Sequence, residues 1–409
     1  MASAPAWAEA AKTRAATALA ALPELTGQEE EWRFTPPTDL ALEGPTPASS
    51  TPVLDARHGS SEGRSATIEF VDGALSAPVT SLALPDGVIV ADLAEALGSH
   101  EALVRDRLYS IVGFDDKPGA LNAARWESGL FVYVPTGVTV ELPIEATASV
   151  TGTAGQVFGR TLVVAERGAN VTIIDRYRSA DLTGTVNVST VVEIFAADDA
   201  DVEHVSVIDW GSRVRHHTVV RAEARRNTKV RSVCVTLGGD VIRVEPTMLV
   251  RGEGADARAL GLYFADGNQH FEHRVVARHE APQAYSNLLY KGAIKDHAHT
   301  VFFGNLIVPP GAPGTDAYQT NRNLVLNDGA RADTIPFLEI ETADVKCSHA
   351  GAVSRVDDEH IWYLESRGVS RDEAKQLIVE GFCHEVLDHV GLDELREELS
   401  EAIARKVRS

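Results

Sequence analysis

The chain has 409 residues, 44% hydrophobic and 24% charged, with 59 acidic against 38 basic side chains and a net charge of −21. That length suits two or three domains or one elongated repeat core, and the acidity argues against nucleic-acid binding unless a local basic patch overrides it. Three scattered cysteines, Cys234, Cys347 and Cys383, exclude a disulfide framework and point to a reducing, cytoplasmic setting.

Residues 1–125 read as an N-terminal helical and irregular region. Residues 1–22 are alanine-rich and carry Glu9, Lys12 and Arg14, without the continuous apolar core of a signal peptide. No run approaches the ~18–20 apolar residues of a membrane span, so no membrane contact is expected. Residues 8–21 suit a helix, and residues 36–52, crowded with Pro, Ser and Thr, break any regular element. Residues 91–108 place Leu93, Ala96, Leu97, Leu103 and Leu108 on a roughly 3.6-residue period and predict a second helical patch.

Residues 126–356 are strand after strand. Leu130-Phe-Val-Tyr-Val134 ends at Pro135, and β-branched runs near Thr161, Val171, Val188, Val202 and Val230 follow, separated by Gly, Asn and Asp clusters. Candidate strands begin near Val171, Val202, Val230, Ala257 and Tyr285 at steps of 27–31 residues. Further ones begin near Thr300, Asp316, Asp333 and His349 at steps of 15–17. The long step is nearly twice the short one, as a full rung is to a half rung. A fixed step without a shared residue signature fits a parallel β-helix, whose rungs need only present an alternating inward face to their neighbours. Sandwich strands would step at about 8–12 residues.

From residue 357 the pattern turns helical. Asp357 suits an N-cap and Gly368 a helix exit. Ser370-Arg-Asp-Glu373 is a capping box, each end accepting from a free backbone N–H. Ala374, Leu377, Ile378, Phe382, Val386 and Leu387 form one apolar stripe. Leu392, Leu395, Leu399, Ala402 and Ile403 form another, closed by Arg405, Lys406 and Arg408. About fifty residues cannot bury such stripes alone. Residues 357–409 therefore form a small helical domain that either caps the open edge of the last rung or docks another protein.

The chain has no Gly-Lys dipeptide and hence no P-loop. It also has no G-x-G-x-x-G and no H-E-x-x-H helix. It reads as a non-enzyme by these signatures. What remains are ligand-capable residues among the strands. Cys347-Ser-His349 and His297-Ala-His299 put their ligands two apart, on one face of an extended segment, and thiolate plus imidazole suits iron, zinc, copper or sulfur handling. His270, His273 and His279 are further candidates, whereas adjacent His216 and His217 must face opposite ways. Against these stands the plainer reading that a single cysteine packs as a small hydrophobe, which suits Cys234 and Cys383. The arginine-rich stretch from Arg221 to Arg231 alternates with Val and Ala and reads as the polar face of strands, not as a nucleic-acid patch.

The stretch Phe337-Leu-Glu-Ile-Glu-Thr-Ala-Asp-Val-Lys-Cys-Ser-His349, followed by Val356-Asp-Asp-Glu-His-Ile-Trp-Tyr-Leu-Glu-Ser-Arg-Gly368, resembles the C-terminal signature of the SufB/SufD family of the SUF iron–sulfur cluster assembly system. Asp344-Val-Lys-Cys-Ser-His349 is similar to the SufD version of it. Glu30-Glu-Trp-Arg-Phe-Thr-Pro36 is similar to the family's N-terminal motif. Gly129-Leu-Phe-Val-Tyr-Val-Pro135, with Glu141-Leu-Pro-Ile144, is similar to the start of its β-helix.

The resemblance implies a mainly β chain: a right-handed parallel β-helix core flanked by an N-terminal α-helical region and a small C-terminal α-helical domain. It implies a non-catalytic scaffold subunit of a SufBCD complex, pairing with a SufB-like subunit and docking a SufC-like ATPase on the C-terminal helices. Trp362, Tyr363, Arg367, Leu377 and Phe382 are the candidates for that docking, and a homodimer is the option for the isolated chain. His349 matches the family histidine implicated in forming the nascent cluster at the SufB–SufD contact, as a metal ligand shared with the partner, and Cys347 matches its neighbour. A transient iron–sulfur cluster is then shared with the partner, with none held tightly by the chain alone. Ala350-Gly-Ala-Val353 departs from the Gly-Ala-Thr order of many members. The lack of any cysteine between Cys234 and Cys347 argues against the SufB subunit. Two rivals stand beside this reading: a secreted carbohydrate lyase, which would need a leader and clustered carboxylates, and a stand-alone metal-binding β-helix enzyme using His270, His273, His297 and His299.

Overall fold

Between Leu130 and Arg355, β-branched and aromatic runs alternate with short turns, and each run folds as a strand. The computed structural model describes residues 4–40, 63–152 and 155–408. Successive strands alternate between an 11-stranded and a 9-stranded sheet, and each pairs in parallel with the strand one turn away. The result is a parallel β-solenoid of about 8 turns. Val171, Val202, Val230 and Ala257 lie in one row of direct partners, so the 27–31-residue step is one full turn. The shorter steps are crossings between sheets, because Thr300 lies in the 9-stranded sheet and Asp316 in the 11-stranded one.

One corner of every turn is built alike. Gly137, Gly168, Asp199, Asn227, Gly254, Gln283 and Gly314 all have φ between +52° and +73°. The backbone N–H of each donates to a carbonyl of the next turn at 2.6–3.2 Å. Gly, Asn and Asp tolerate this left-handed conformation best, which explains the turn residues that punctuate the sequence.

Inside, the two sheets share a continuous apolar core that includes Ile144, Ile173, Val202, Val230, Phe271, Leu306 and Ala317. Each fully buried Val or Leu contributes about 1.5–3 kcal/mol. Polar groups also lie inside: His216 bonds Thr190 and Trp210, and His273 bonds Thr236 and stacks on Tyr263.

The N-terminal part departs from the expected helix and loop in three ways. The strand Ala66–Val71 joins the 11-stranded sheet, parallel to Ile144–Ser149. The predicted patch at 91–108 breaks at His100 into helices Leu93–Ser99 and Glu101–Val104. A helix not foreseen, Lys117–Arg125, is capped by Asp116, which accepts from Gly119 N at 2.7 Å. The first helix, Ala6–Ala21, packs against it, and Lys12 donates to Trp126 O at 2.8 Å. Of the segment expected to break regular structure, residues 37–40 form a single helical turn and residues 41–52 lie outside the described residues.

The C-terminal helices are Asp358–Glu365, Arg371–Leu387 and Asp393–Arg408. Asp357 and Ser370 cap the first two as expected, accepting from Glu359 N and Glu373 N. The buried side of the second helix is Ala374, Val379, Cys383, Val386 and Leu387, so Leu377 falls off the predicted stripe and Cys383 joins it. These helices do not cap the last rung. They cover the outer face of the 11-stranded sheet, packing on Val205, Val233, Leu260, Leu262 and Phe264. Charged contacts stitch them down: Arg176 to Glu398, Lys291 to Phe382 O, and Lys406 to Asp266. The outward-facing apolar row of the sheet is the reason, because it would otherwise meet water. Among the described residues both sheets consequently end on strands without a further neighbour, Val345–Arg355 and Arg331–Ile340.

The corner column gives a direct check. Asn227→Val, which forces a β-branched residue to φ +54°, should lower the unfolding free energy in a denaturant titration by about 1–2 kcal/mol, with a smaller loss for Asn227→Gly.

Candidate functional site

The terminal strand Val345–Arg355 carries the conspicuous chemistry. Its register sets Cys347 beside Ala317 and His349 beside Gln319. Cys347 is half-buried and packs on the interior core. His349, two residues on, shares that inward face by strand periodicity, yet it is exposed because no further rung lies over it. Among the described residues no hydrogen bond or ion pair holds its ring. Burial, with Asp316 nearby, raises the Cys347 thiol above its ordinary range, so it is a neutral thiol at physiological pH. On the terminal strands Ile340 and Val353, 38% and 46% exposed, share the inward register and give the open end an apolar rim, whereas Tyr318 and Phe337 stand on the outer faces against Tyr285 and Phe303.

Two donors do not make a metal centre. Among the described residues no group of three or more His, Cys, Asp or Glu is placed to hold a metal ion. The rung thus presents one thiol and one imidazole at the edge of the sheet.

Of the remaining histidines His270 and His299 touch on the outer face, ring centroids 4.9 Å apart, and the others are dispersed. His297 sits in an exposed turn, while His299 begins a strand and bonds Asp333 at 2.7 Å, so the two do not form a pair. His270 lies on the outer face with Thr35, and His273 lies inside the solenoid. His279 bonds Ser286 at 2.8 Å. His216 points inward and His217 outward to Glu245, as adjacency requires. The set His270, His273, His297 and His299 therefore faces three different environments, which removes the basis for the stand-alone metalloenzyme. Cys234 is buried, and burial pushes its thiol up to about 12, as it does for Cys383.

Of the docking candidates, Trp362 is 69% exposed, Tyr363 and Leu377 are also exposed, and Arg367 lies over the Tyr363 ring. Phe382 is different: its ring and carbonyl engage Lys291 on the sheet. The arginine-rich stretch faces carboxylates, Arg225 meeting Glu223, Arg226 meeting Asp198, and Arg231 meeting Asp201 and Glu203.

Sequence reading missed what the motif Glu30–Pro36 does. Trp32 stacks under the Arg243 guanidinium at 4.1 Å, and Arg243 donates to Glu31 O. Thr35 bonds both His270 and Glu272. The motif is a strap on the outer face of the 9-stranded sheet. The pairing of a tryptophan with a buried arginine 211 positions away leaves no local signal.

Comparison with known proteins agrees with this geometry. The family model for the SUF system FeS cluster assembly SufBD core domain matches residues 148–382, and that for the SufBD protein N-terminal region matches residues 65–146. The chain belongs to the SufBD family. It is 38% identical over 301 residues to an iron-sulfur cluster assembly SufBD family protein of Mycobacterium tuberculosis (strain ATCC 25618 / H37Rv), covering 71% of this chain and 74% of that one. It is 36% identical to one of Mycobacterium leprae (strain TN), covering 71% and 75%. It is 30% identical to one of Staphylococcus haemolyticus (strain JCSC1435), covering 72% of this chain and 64% of that one. SufBD members are iron–sulfur cluster assembly proteins, and among the described residues no helix is long and apolar enough to cross a membrane.

The buried histidines predict acid sensitivity. Burial lowers His216 and His273 to about 3, and His270 and His279 to about 4, His217 and His299 adding to the effect at His216 and His270. Unfolded, each would protonate near 6.5. The unfolded chain thus binds more protons below that value, so stability is whole above pH ~6.5 and declines as pH falls toward 3–4. Denaturant unfolding at pH 7 and pH 5 should show it, at up to about 1.4 kcal/mol per pH unit for each such histidine, with a shallower slope in His273→Gln.

Proposed function

We propose that this chain is the SufD-like scaffold subunit of a cytoplasmic SUF complex. It pairs through its terminal rung with a SufB-like subunit and supports assembly of an iron–sulfur cluster at that contact. The observation that carries this is the half-site: a free imidazole and a thiol on an unpaired edge strand at an open end that also exposes Ile340 and Val353. A second β-solenoid laid against this edge would satisfy its backbone groups, bury the rim and complete the ligand set. In isolation the same edge could join two copies of this chain.

In this reading the three parts have separate tasks. Residues 1–125 brace the outer face, residues 126–356 present the rung, and residues 357–409 receive a SufC-like ATPase through Trp362, Tyr363, Arg367 and Leu377. Because the helices are pinned to the sheet by Arg176, Lys291 and Lys406, motion of a docked ATPase reaches the strands directly. Imidazole is an iron ligand, and a mixed nitrogen–sulfur site releases a cluster more readily than four thiolates. The chain supplies no reaction by itself and holds the cluster only as cargo.

Two measurements test these roles. His349→Ala in the co-produced complex should abolish the cluster's visible absorbance while the subunits still co-purify; an undiminished cluster sinks the site. Trp362→Ala with Tyr363→Ala should lose the ATPase from the pull-down with thermal stability retained, since exposed substitutions cost within about 0.5 kcal/mol; retained ATPase sinks the docking face.

A further inference from the structure

We infer that Gln319 orients the His349 imidazole for cluster assembly, a positioning role that rests on the proposed reading of His349. Gln319 and His349 are direct partners in the last two strands of the 11-stranded sheet. In a parallel ladder such partners point the same way from backbones about 4.8 Å apart. Both therefore face inward at the mouth of the solenoid, one rung apart.

The Gln319 side chain is fully buried. Its Nε2 donates across the hollow to Gly304 O at 3.3 Å. Its Oε1 is buried and accepts from no group among the described residues. A buried acceptor without a donor is unfavourable, and such atoms in native proteins have a reason to be there. His349 is the donor-capable neighbour on the same face, and its ring is uncommitted.

The carboxamide also has a prepared seat. A Cβ at Gly304 would lie 2.5 Å from Gln319 Nε2 and 2.6 Å from its Cδ, so the absence of a side chain there makes the room. Behind it, Asn323 donates to Asn321 and accepts from Tyr263, and Asn321 donates to the Tyr263 hydroxyl. That network fixes the strand face on which Gln319 stands.

Once a partner rung covers the edge, the His349 ring loses its path to solvent and turns toward Oε1. Donation from one ring nitrogen to Gln319 fixes the tautomer, and the other nitrogen then presents its lone pair to iron across the contact. Gln319 touches neither iron nor sulfur in this scheme; it acts through the histidine.

The test uses the whole complex, co-produced without oxygen with its SufB-like subunit and ATPase, with Gln319→Met, Gln319→Glu and Gly304→Ala alone and Gln319→Met combined with His349→Ala. The expectation is an intact complex in which Gln319→Met loses cluster absorbance to the His349→Ala level. Gln319→Glu, which keeps an acceptor oxygen, retains the cluster, and Gly304→Ala falls between. The double variant loses no more than His349→Ala. With 15N-labelled histidine, His349 shows one tautomer in the native complex and averaged ring-nitrogen shifts in Gln319→Met. Undiminished cluster in Gln319→Met, a loss that adds to that of His349→Ala, or equal losses in the Met and Glu variants would overturn the role. If Gln319→Met does not assemble, Gly304→Ala decides: unchanged His349 nitrogen shifts in that variant overturn it too. A silent His349→Ala removes the underlying reading, whereas a strong His349→Ala effect beside a silent Gln319→Met removes only Gln319.

Discussion

Every turn of the solenoid must return the chain to the same corner, and it does so through one residue held at positive φ. Gly137, Gly168, Asp199, Asn227, Gly254, Gln283 and Gly314 stack there, each handing its N–H to the next turn. That column sets the rung length, and the rung length sets the register. Because side chains in paired parallel strands point the same way, the register decides which residues meet inside. The apolar column from Val171 through Val202 and Val230 follows from it, and so does the meeting of Gln319 with His349.

A stacked fold has two ends, and their treatment separates this chain from a self-contained protein. At the first end, Ala66–Val71 and its antiparallel neighbours extend the sheet, while the strap at Trp32 and Thr35 clamps the outer face farther along the solenoid, through Arg243 and Glu272. At the last end nothing comparable is built among the described residues. The helices that could have closed it are spent on the outer face of the 11-stranded sheet, where Val205, Val233 and Leu262 need cover. An open edge with a free imidazole and an apolar rim is costly for a lone chain and useful for one that works in an assembly.

The interior polar groups fit the same economy. His216, His273, Tyr263, Asn321 and Asn323 would be liabilities in a purely apolar core, yet each finds a partner within two rungs of itself. The atoms that do not, Gln319 Oε1 among them, gather toward the open end as well as along the column. Satisfaction of a buried polar group depends on its neighbours above and below, and the terminal rung has a neighbour on one side alone.

By itself the sequence determined the solenoid, its rung length and the helical tail, because these follow from local preferences repeated along the chain. β-branched runs make strands, Gly, Asn and Asp make the left-handed corners, and the capping residues Asp357 and Ser370 start the helices where expected. It also made Cys347 and His349 visible, since their spacing alone puts them on one face. It misled where the partner of an element is remote: the strand Ala66–Val71, the exposure of Leu377 and the seat of the C-terminal helices all depend on surfaces far along the chain. Only the tertiary structure decided that His297 and His299 part company, that Thr35 reaches His270, and that Gln319 stands beside His349. The meeting of Gln319 with His349 is fixed by the stacking of turns thirty residues apart, and that of Thr35 with His270 spans 235 residues, distances over which no local pattern in the sequence carries information.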